Sequence, residues 1–282
     1  MISLQRERTE AAINRKYRGQ RKIDREFTLL KAYRDSNADP EFSSAWWRTS
    51  KDQLKIEAHN KCAYCEADVS VVAHGDVEHY RPKSSYWWLA YCYDNYLYSC
   101  QICNQTFKGK HFPIHGNEMP SADLPNPATD QALRQLAGAL APDPLDEEPR
   151  YTLQEYSRLA TREKAGLPNP YMEDPETLFI WEADSVNRQV SIAPRHRRRV
   201  RPKRAFAAAE SYLGLNREQL RTARWRIYRP LPLFKAMLLH FRELGDPMAD
   251  KIEEELRLMM ADDAPFAAMV RYFVREKWAL LP

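Results

Sequence analysis

Two short stretches, "KCAYCE" (61–66) and "SCQICN" (99–104), each hold a pair of cysteines separated by two residues. This is the spacing of a four-thiolate tetrahedral zinc site. Paired Cys-x-x-Cys motifs in a chain without a secretion signal indicate metal before disulfide. We predict a structural Zn²⁺, the alternative being a set of reduced and unliganded thiols. The predicted ligands are Cys62, Cys65, Cys100 and Cys103.

A zinc ion with four protein ligands has no open position for water, so any catalysis must use other residues. The loop between the cysteine pairs contains "DVEHYRPK" (76–83), in which Glu78 directly precedes His79. An imidazole near its own pKa can take a proton from water. Carboxylate and amide oxygens, such as those of Glu78 and Asn104, can hold Mg²⁺ or Mn²⁺. Because side chains alternate along a strand, we expect this pair to lie at a strand end or a bulge.

Each residue also has an ordinary interpretation. A lone Glu-His pair is typical of a solvated loop. Asn95 could be a turn residue, and Asn104 could cap the helix that follows the second cysteine pair. Lys83 could be an ordinary surface charge. The joint order of these residues within one cysteine frame favours a catalytic site.

This order of Cys-x-x-Cys, Glu-His, Asn, Cys-x-x-Cys-Asn and Lys resembles the HNH endonucleases, which have the ββα-metal fold. The resemblance implies that His79 is the general base and that Glu78 and Asn104 bind the catalytic Mg²⁺ or Mn²⁺. It implies that Asn95 orients the base or its loop, and that Lys108 contacts phosphate. We also expect Lys83 to contact nucleic acid.

The flanking sequence extends the resemblance. The stretches "EHYRPKS", "YWWLAYCYDNYLYSCQICNQTFKGKHFP" and "LPNPYMEDPETLFIW" resemble the HNH subunit of the Septu anti-phage system and its retron-associated relatives. The resemblance implies a defence effector that cleaves nucleic acid, expected to be DNA, together with an ATPase partner of the ABC/SMC-like type. It is strongest over residues 62–115.

The net charge of +4 conceals an uneven distribution. Residues 195–229 carry 12 basic and two acidic side chains, whereas residues 120–194 carry six basic and 13 acidic ones. The basic block could follow nucleic-acid phosphates, pair with the acidic region, or bind a partner protein. The candidate nucleic-acid contacts in it are Arg197, Arg198, Arg199, Arg201, Arg221 and Arg224.

The pattern of helical and strand periodicity predicts an α+β fold, mainly helical, in which a ββα-metal core with its zinc lies inside a larger helical domain. We predict a helical region over 1–54, the zinc-framed nuclease core over 55–119, and a mainly helical region with short strands over 120–282. Within these regions, the patterns predict a helix over 1–36, and two strands at "ETLFIWEA" (176–183) and "NRQVSIAP" (187–194) that are joined by a turn. Asn216 is the predicted cap of the helix that begins with "REQL". No apolar run has the length of a membrane span. The basic N-terminus lacks the apolar stretch of a secretion signal, so we expect a cytoplasmic location.

Two other functions compete with a DNA endonuclease. One is a non-catalytic, zinc-stabilised module that binds nucleic acid or protein. The other is a transcription or RNA-binding factor that uses the basic block. The sequence does not select the cleavage site or the oligomeric state.

Overall fold

The computed structural model describes residues 1–37, 40–69 and 74–282. In these residues the fold is α+β and mainly helical, as predicted, with two small antiparallel sheets. The α-helices are α1 (Gly19–Asp35), α2 (Ser44–Trp47), α3 (Lys51–Glu57), α4 (Asp130–Leu136), α5 (Leu153–Glu163), α6 (Val200–Leu213), α7 (Glu218–Tyr228), α8 (Leu231–Leu244), α9 (Met248–Met259) and α10 (Ala267–Arg271). Two π-helices span Ile102–Lys108 and Tyr272–Lys277.

The first sheet and the helix after it form the centre of the cysteine-rich region. Strand β1 (Asp76–His79) pairs antiparallel with β2 (Tyr96–Ser99), and the π-helix Ile102–Lys108 follows directly. His79 is the last residue of β1 and lies opposite Tyr96. The expected order of two strands and a helix, with the Glu-His pair at a strand end, is therefore confirmed.

The second sheet is the hairpin of β3 (Phe179–Asp184) and β4 (Gln189–Pro194), which alternating hydrophobicity predicted. Helix α7 packs against β4, and α6 packs against both β4 and the π-helix Ile102–Lys108. Where α6 meets this π-helix, Gly214 lies so close to the Phe107 ring that a β-carbon would overlap it. The φ of Gly214 is +57°. The helices after the hairpin are thus held against the cysteine-rich region.

Two local predictions were wrong. A helix was predicted over residues 1–36, but α1 begins only at Gly19. The preceding segment buries Met1, Ile2 and Leu4, and Leu4 donates its amide hydrogen to the carbonyl of Pro170 at 2.9 Å. Tertiary burial therefore outweighs the helical pattern there.

Asn216 was predicted to cap α7, but the cap position is Arg217. The Asn216 side chain instead accepts from the amide of Ile192 at 2.8 Å and donates to the carbonyl of Ile192 at 3.1 Å. It thereby satisfies both backbone groups of one β4 residue. This longer-range use of a side-chain amide has no signal in the local sequence.

One large hydrophobic cluster contains residues from all three predicted regions, for example Tyr17, Leu97 and Phe273. A second cluster joins α1, α4 and α5 to the aromatic segment 86–92, through residues such as Leu30 and Trp88. The proposed division at 54 and 119 stays a prediction. None of the described helices is both long and apolar enough to cross a membrane.

A buried ion pair joins the first sheet to α5. Arg81, two residues after His79, donates from Nε to Glu163 at 2.7 Å and from Nη1 to the Tyr156 hydroxyl at 3.0 Å. Glu163 is fully buried and also accepts the amide hydrogen of Met119 at 3.1 Å. The pair therefore anchors the loop that follows the Glu-His pair.

We expect Arg81→Met to lower the free energy of unfolding by about 3–5 kcal/mol, because it leaves the Glu163 carboxylate buried without its cation. Urea denaturation followed by circular dichroism measures this loss. The matched control is Arg158→Met, which breaks the exposed pair with Glu155 and should leave the free energy of unfolding nearly unchanged. Equal losses in the two variants would show that the Arg81 pair does not anchor the loop.

Candidate active site and zinc centre

The four predicted zinc ligands converge. The sulfur atoms of Cys62, Cys65, Cys100 and Cys103 all lie within 4.8 Å of one another, and the Cys65 and Cys100 sulfurs are 4.0 Å apart. A tetrahedral zinc with Zn–S bonds of about 2.3 Å needs sulfurs about 3.8 Å apart, so the cluster fits the ion. Hydrogen bonding with the neighbouring thiols, Cys103 first, lowers the pKa of Cys100 well below its usual range.

Both cysteine pairs lie on tight turns. The amide of Glu66 donates to the Cys62 carbonyl at 2.9 Å, and the amide of Cys103 donates to the Cys100 sulfur at 3.4 Å. Arg217, at the start of α7, contacts the cluster from a distant part of the chain: its Nη1 lies 3.6 Å from the Cys103 sulfur. A cation beside four sulfurs offsets the negative charge that thiolate ligation of zinc would create.

Strand β1 gives Glu78 and His79 different surroundings, as alternation requires. Glu78 is buried and forms an ion pair with Lys108 of the π-helix. The His79 ring packs edge-on against Trp47 and Tyr96, with centroids 4.9 and 5.0 Å away. Both residues nevertheless line one cleft, because the strand ends at His79.

One ring nitrogen of His79 has a fixed partner. Its Nε2 donates to the Ala90 carbonyl at 2.9 Å. A carbonyl can only accept, so the proton resides on Nε2 and leaves Nδ1 as the basic nitrogen. Burial lowers the pKa of His79 to about 3, which keeps the imidazole neutral at neutral pH. The neutral ring keeps a lone pair that can accept a proton, but a pKa this low makes it a weak base, so the geometry and not the pKa supports His79 as a general base.

Burial shifts the pKa of Glu78 in the opposite direction from that of His79. Burial raises the pKa of this carboxyl to about 7, although the charge of Lys108 opposes the shift. The Lys108 ammonium also donates to the His79 carbonyl at 2.9 Å and is fully buried. We therefore assign the charge of Lys108 to holding Glu78 and the end of β1. The predicted contact of Lys108 with phosphate stays a prediction.

Substitution of two nearby lysines tests this reassignment. Lys108→Met should lower the free energy of unfolding by about 3 kcal/mol, because it removes the partner of a buried carboxylate. Lys110→Met, at an exposed position that lines the cleft, should leave stability within about 0.5 kcal/mol of the parent and weaken DNA binding instead. Denaturation and fluorescence anisotropy measure the two effects. The reassignment fails if Lys108→Met weakens DNA binding without a loss of stability.

Asn104 lies in the π-helix facing β1. Its Nδ2 donates to Oδ2 of Asp76 at 3.1 Å, and Gln105 Nε2 donates to the same oxygen at 2.8 Å. Because the amide nitrogen is held by Asp76, the amide oxygen is free to accept a cation or a water. Asp76 was not predicted, although its place two residues before Glu78, on the same face of a strand, could have indicated it.

Asn95 is fully buried and contacts the chain rather than the cleft. Its Oδ1 accepts from the amide of Arg81 at 2.9 Å, and its Nδ2 donates to the carbonyl of Arg81 at 3.0 Å. These two bonds clamp the backbone just after His79. The arrangement agrees with a role in orienting the loop of the base, and gives Asn95 no direct contact with a substrate in the cleft.

The cleft has a volume of about 560 Å³ and brings acidic, basic and aromatic side chains together. Its walls come from residues 40–51, 76–84 and 104–110. Arg48 and Lys51, from the region of α2 and α3, were missed because their segment carries no motif. With Lys83 and Lys110 they add positive charge around Asp76, Glu78, His79 and Asn104. Such a surface suits a phosphodiester.

The basic block lies outside these walls. Arg224 is buried and donates to the Leu215 carbonyl at 2.7 Å, so its charge is enclosed by the protein. Arg201 donates to Glu173 at 2.9 Å, and Arg221 is partly buried. Arg198 and Arg199 are exposed, as is Arg197, which lies 3.5 Å from Glu182. Contacts of all six arginines with nucleic acid stay a prediction.

Comparison with known proteins gives one informative similarity. The chain is 32% identical to the Septu protein PtuB of Bacillus mycoides (strain KBAB4) over an alignment of 117 residues. That alignment covers 37% of this chain and 37% of the relative, so the match spans much less than two thirds of either protein. No family model and no solved structure matches the chain.

Proposed function

We propose that this protein is a metal-dependent endonuclease of the HNH type that hydrolyses phosphodiester bonds of DNA. The observation that carries the proposal is the meeting of His79, Glu78 and Asn104 in one positively charged cleft beside the four-cysteine cluster. The order of these residues in the sequence and the partial similarity to a Septu protein support the same function.

Hydrolysis needs a nucleophile, and His79 is suited to generate it. With its proton held on Nε2 by the Ala90 carbonyl, the ring accepts a proton from water at Nδ1. The water oxygen attacks phosphorus, and the bond to the 3′ oxygen breaks. Products with a 5′-phosphate and a 3′-hydroxyl are therefore expected. Asn95 acts as a positioning residue, because its side chain hydrogen-bonds the backbone of Arg81, two residues after His79.

Glu78 and the free amide oxygen of Asn104 fit a hard divalent cation, with Asp76 as a neighbouring carboxylate that orients Asn104. Such a cation, Mg²⁺ or Mn²⁺, would neutralise charge on the phosphate and the leaving oxygen. Lys108 keeps Glu78 beside this position, while Lys83 and Lys110 can attract the DNA backbone to the cleft.

The biological setting that we propose is anti-phage defence, with an ABC/SMC-like ATPase as partner. It rests on the similarity to the Septu protein and on the motif order. A supercoiled plasmid incubated with the chain, alone and with any ABC/SMC-like ATPase found in a neighbouring gene, tests the activity in Mg²⁺, Mn²⁺ or EDTA. We expect nicked or linear DNA only with metal. Absence of cleavage under all conditions, with the ATPase present, would favour a non-catalytic binding module.

A further inference from the structure

A second cleft, of about 550 Å³, adjoins the candidate active site. The two clefts share Pro40, Phe42, Lys83 and Ser84, so they form one continuous groove. Beyond these shared residues the second cleft is lined by Tyr33, Trp87 and Glu118, among others. Its volume is within the range of small-molecule sites and is sufficient for one nucleotide. Nothing in the proposed hydrolysis uses it.

The second cleft offers aromatic surface. Tyr33 and Trp87 are stacked, with centroids 3.7 Å apart and planes 8° from parallel, and Tyr33 is the more exposed of the two. Phe42 is half-buried where the clefts join, and it packs edge-on against Tyr91 at 6.3 Å, which holds its ring. Rings fixed in this way are suited to stack on a nucleobase.

Charge distinguishes the two ends of the groove. Lys83 stands at the junction, with its ammonium 5.9 Å from the Phe42 ring and 5.4 Å from the Trp47 ring. It can contact a phosphate that leads from one cleft to the other. Glu118 is an exposed residue that lines the second cleft and not the first, and its carboxylate repels phosphate but can accept hydrogen bonds from the N–H groups of a base edge.

A base inside a duplex has both faces covered by its neighbours, so only an unpaired or flipped base can enter such a cleft. We propose that the second cleft holds an unpaired nucleobase next to the scissile phosphate, and that the preferred substrate is single-stranded or locally opened DNA. The inference rests on the proposed function for the position of that phosphate. Its test does not depend on turnover.

The probe is a 12-nucleotide DNA strand with 2-aminopurine at one central position, free or annealed to its complement. The full chain is used as the His79→Ala variant to prevent cleavage. Stacking quenches 2-aminopurine fluorescence, so we expect protein-dependent quenching with the single strand but not with the duplex. Phe42→Ala in the same background should abolish the quenching and weaken single-strand binding about tenfold, the loss of one base–aromatic stack. Phe42→Trp should restore both.

Phe241→Ala, which removes a partly buried ring on α8, is the matched control and should leave quenching unchanged. The inference is overturned if the single strand is not quenched, if the duplex is quenched equally, or if Phe42→Ala has no effect. Loss of quenching alongside normal plasmid cleavage would refute the base site alone. Quenching without any cleavage by the parent chain, with metal and the ATPase present, would refute the proposed hydrolysis and leave the base site standing.

Discussion

Replacement of His79 by alanine should reduce the rate of DNA cleavage by about 10²–10⁴-fold, the usual contribution of a general base. The substitution removes the imidazole whose proton is held on Nε2 by the Ala90 carbonyl at 2.9 Å. Single-turnover cleavage of a labelled substrate, with the parent chain and the variant at the same Mn²⁺ concentration and with the same ATPase, measures the effect.

The control for His79 is His240→Ala, since His240 is an exposed histidine on α8. It should cleave at the parent rate. Zinc content and the circular dichroism spectrum of His79→Ala should match those of the parent, because the zinc ligands are separate residues. A folded, zinc-loaded His79→Ala that cleaves as fast as the parent would rule out the proposed mechanism.

Loss of the zinc should have the largest effect on stability. The purified chain should contain one zinc per molecule, and Cys103→Ala should contain none. Structural zinc contributes folding free energy directly. If it contributes about 5 kcal/mol, its loss lowers the melting temperature of a chain of this size by roughly 10–20 °C. Mass spectrometry under native conditions and thermal denaturation measure the two quantities.

Cys92→Ala is the matched control, because Cys92 is equally buried but is not one of the four clustered cysteines. Loss of one buried sulfur should leave the zinc bound and cost about 1–2 kcal/mol. A chelator should reproduce the effect of Cys103→Ala in the parent chain. If the parent contains no zinc after expression in zinc-supplemented medium, and chelator has no effect on its melting temperature, the metal assignment is wrong.

The features that the sequence predicts are those that depend on a fixed spacing of residues along the chain. Cysteine pairs separated by two residues predicted the four-cysteine cluster, and alternation with turn residues predicted the β3–β4 hairpin. The place of Glu78 and His79 at a strand end was also predicted, from the expectation that both reach one phosphate. In each case a short local pattern carries the constraint.

Short local patterns did not predict the roles of residues whose surroundings are set by tertiary contacts. Lys108 has the position of a phosphate contact in the motif, yet burial beside Glu78 gives its charge a structural use. Arg224 belongs to a basic run but is enclosed by its own fold. Arg48 and Lys51 reach the cleft only because α2 and α3 pack beside β1, which no local sequence signal specifies. Similarly, the second cleft arises where α1 meets the aromatic segment after β1.

The position of the catalytic cation tests the central claim most directly. Crystals of the chain soaked in Mn²⁺ and measured at the manganese absorption edge would locate it by anomalous scattering. We predict one manganese in the cleft, contacted by Glu78 and the Asn104 amide oxygen, and separate from a zinc at the four cysteines. A manganese signal absent from the cleft at saturating Mn²⁺, or found only at the cysteines, would contradict the assignment of this cleft as a metal-dependent nuclease site.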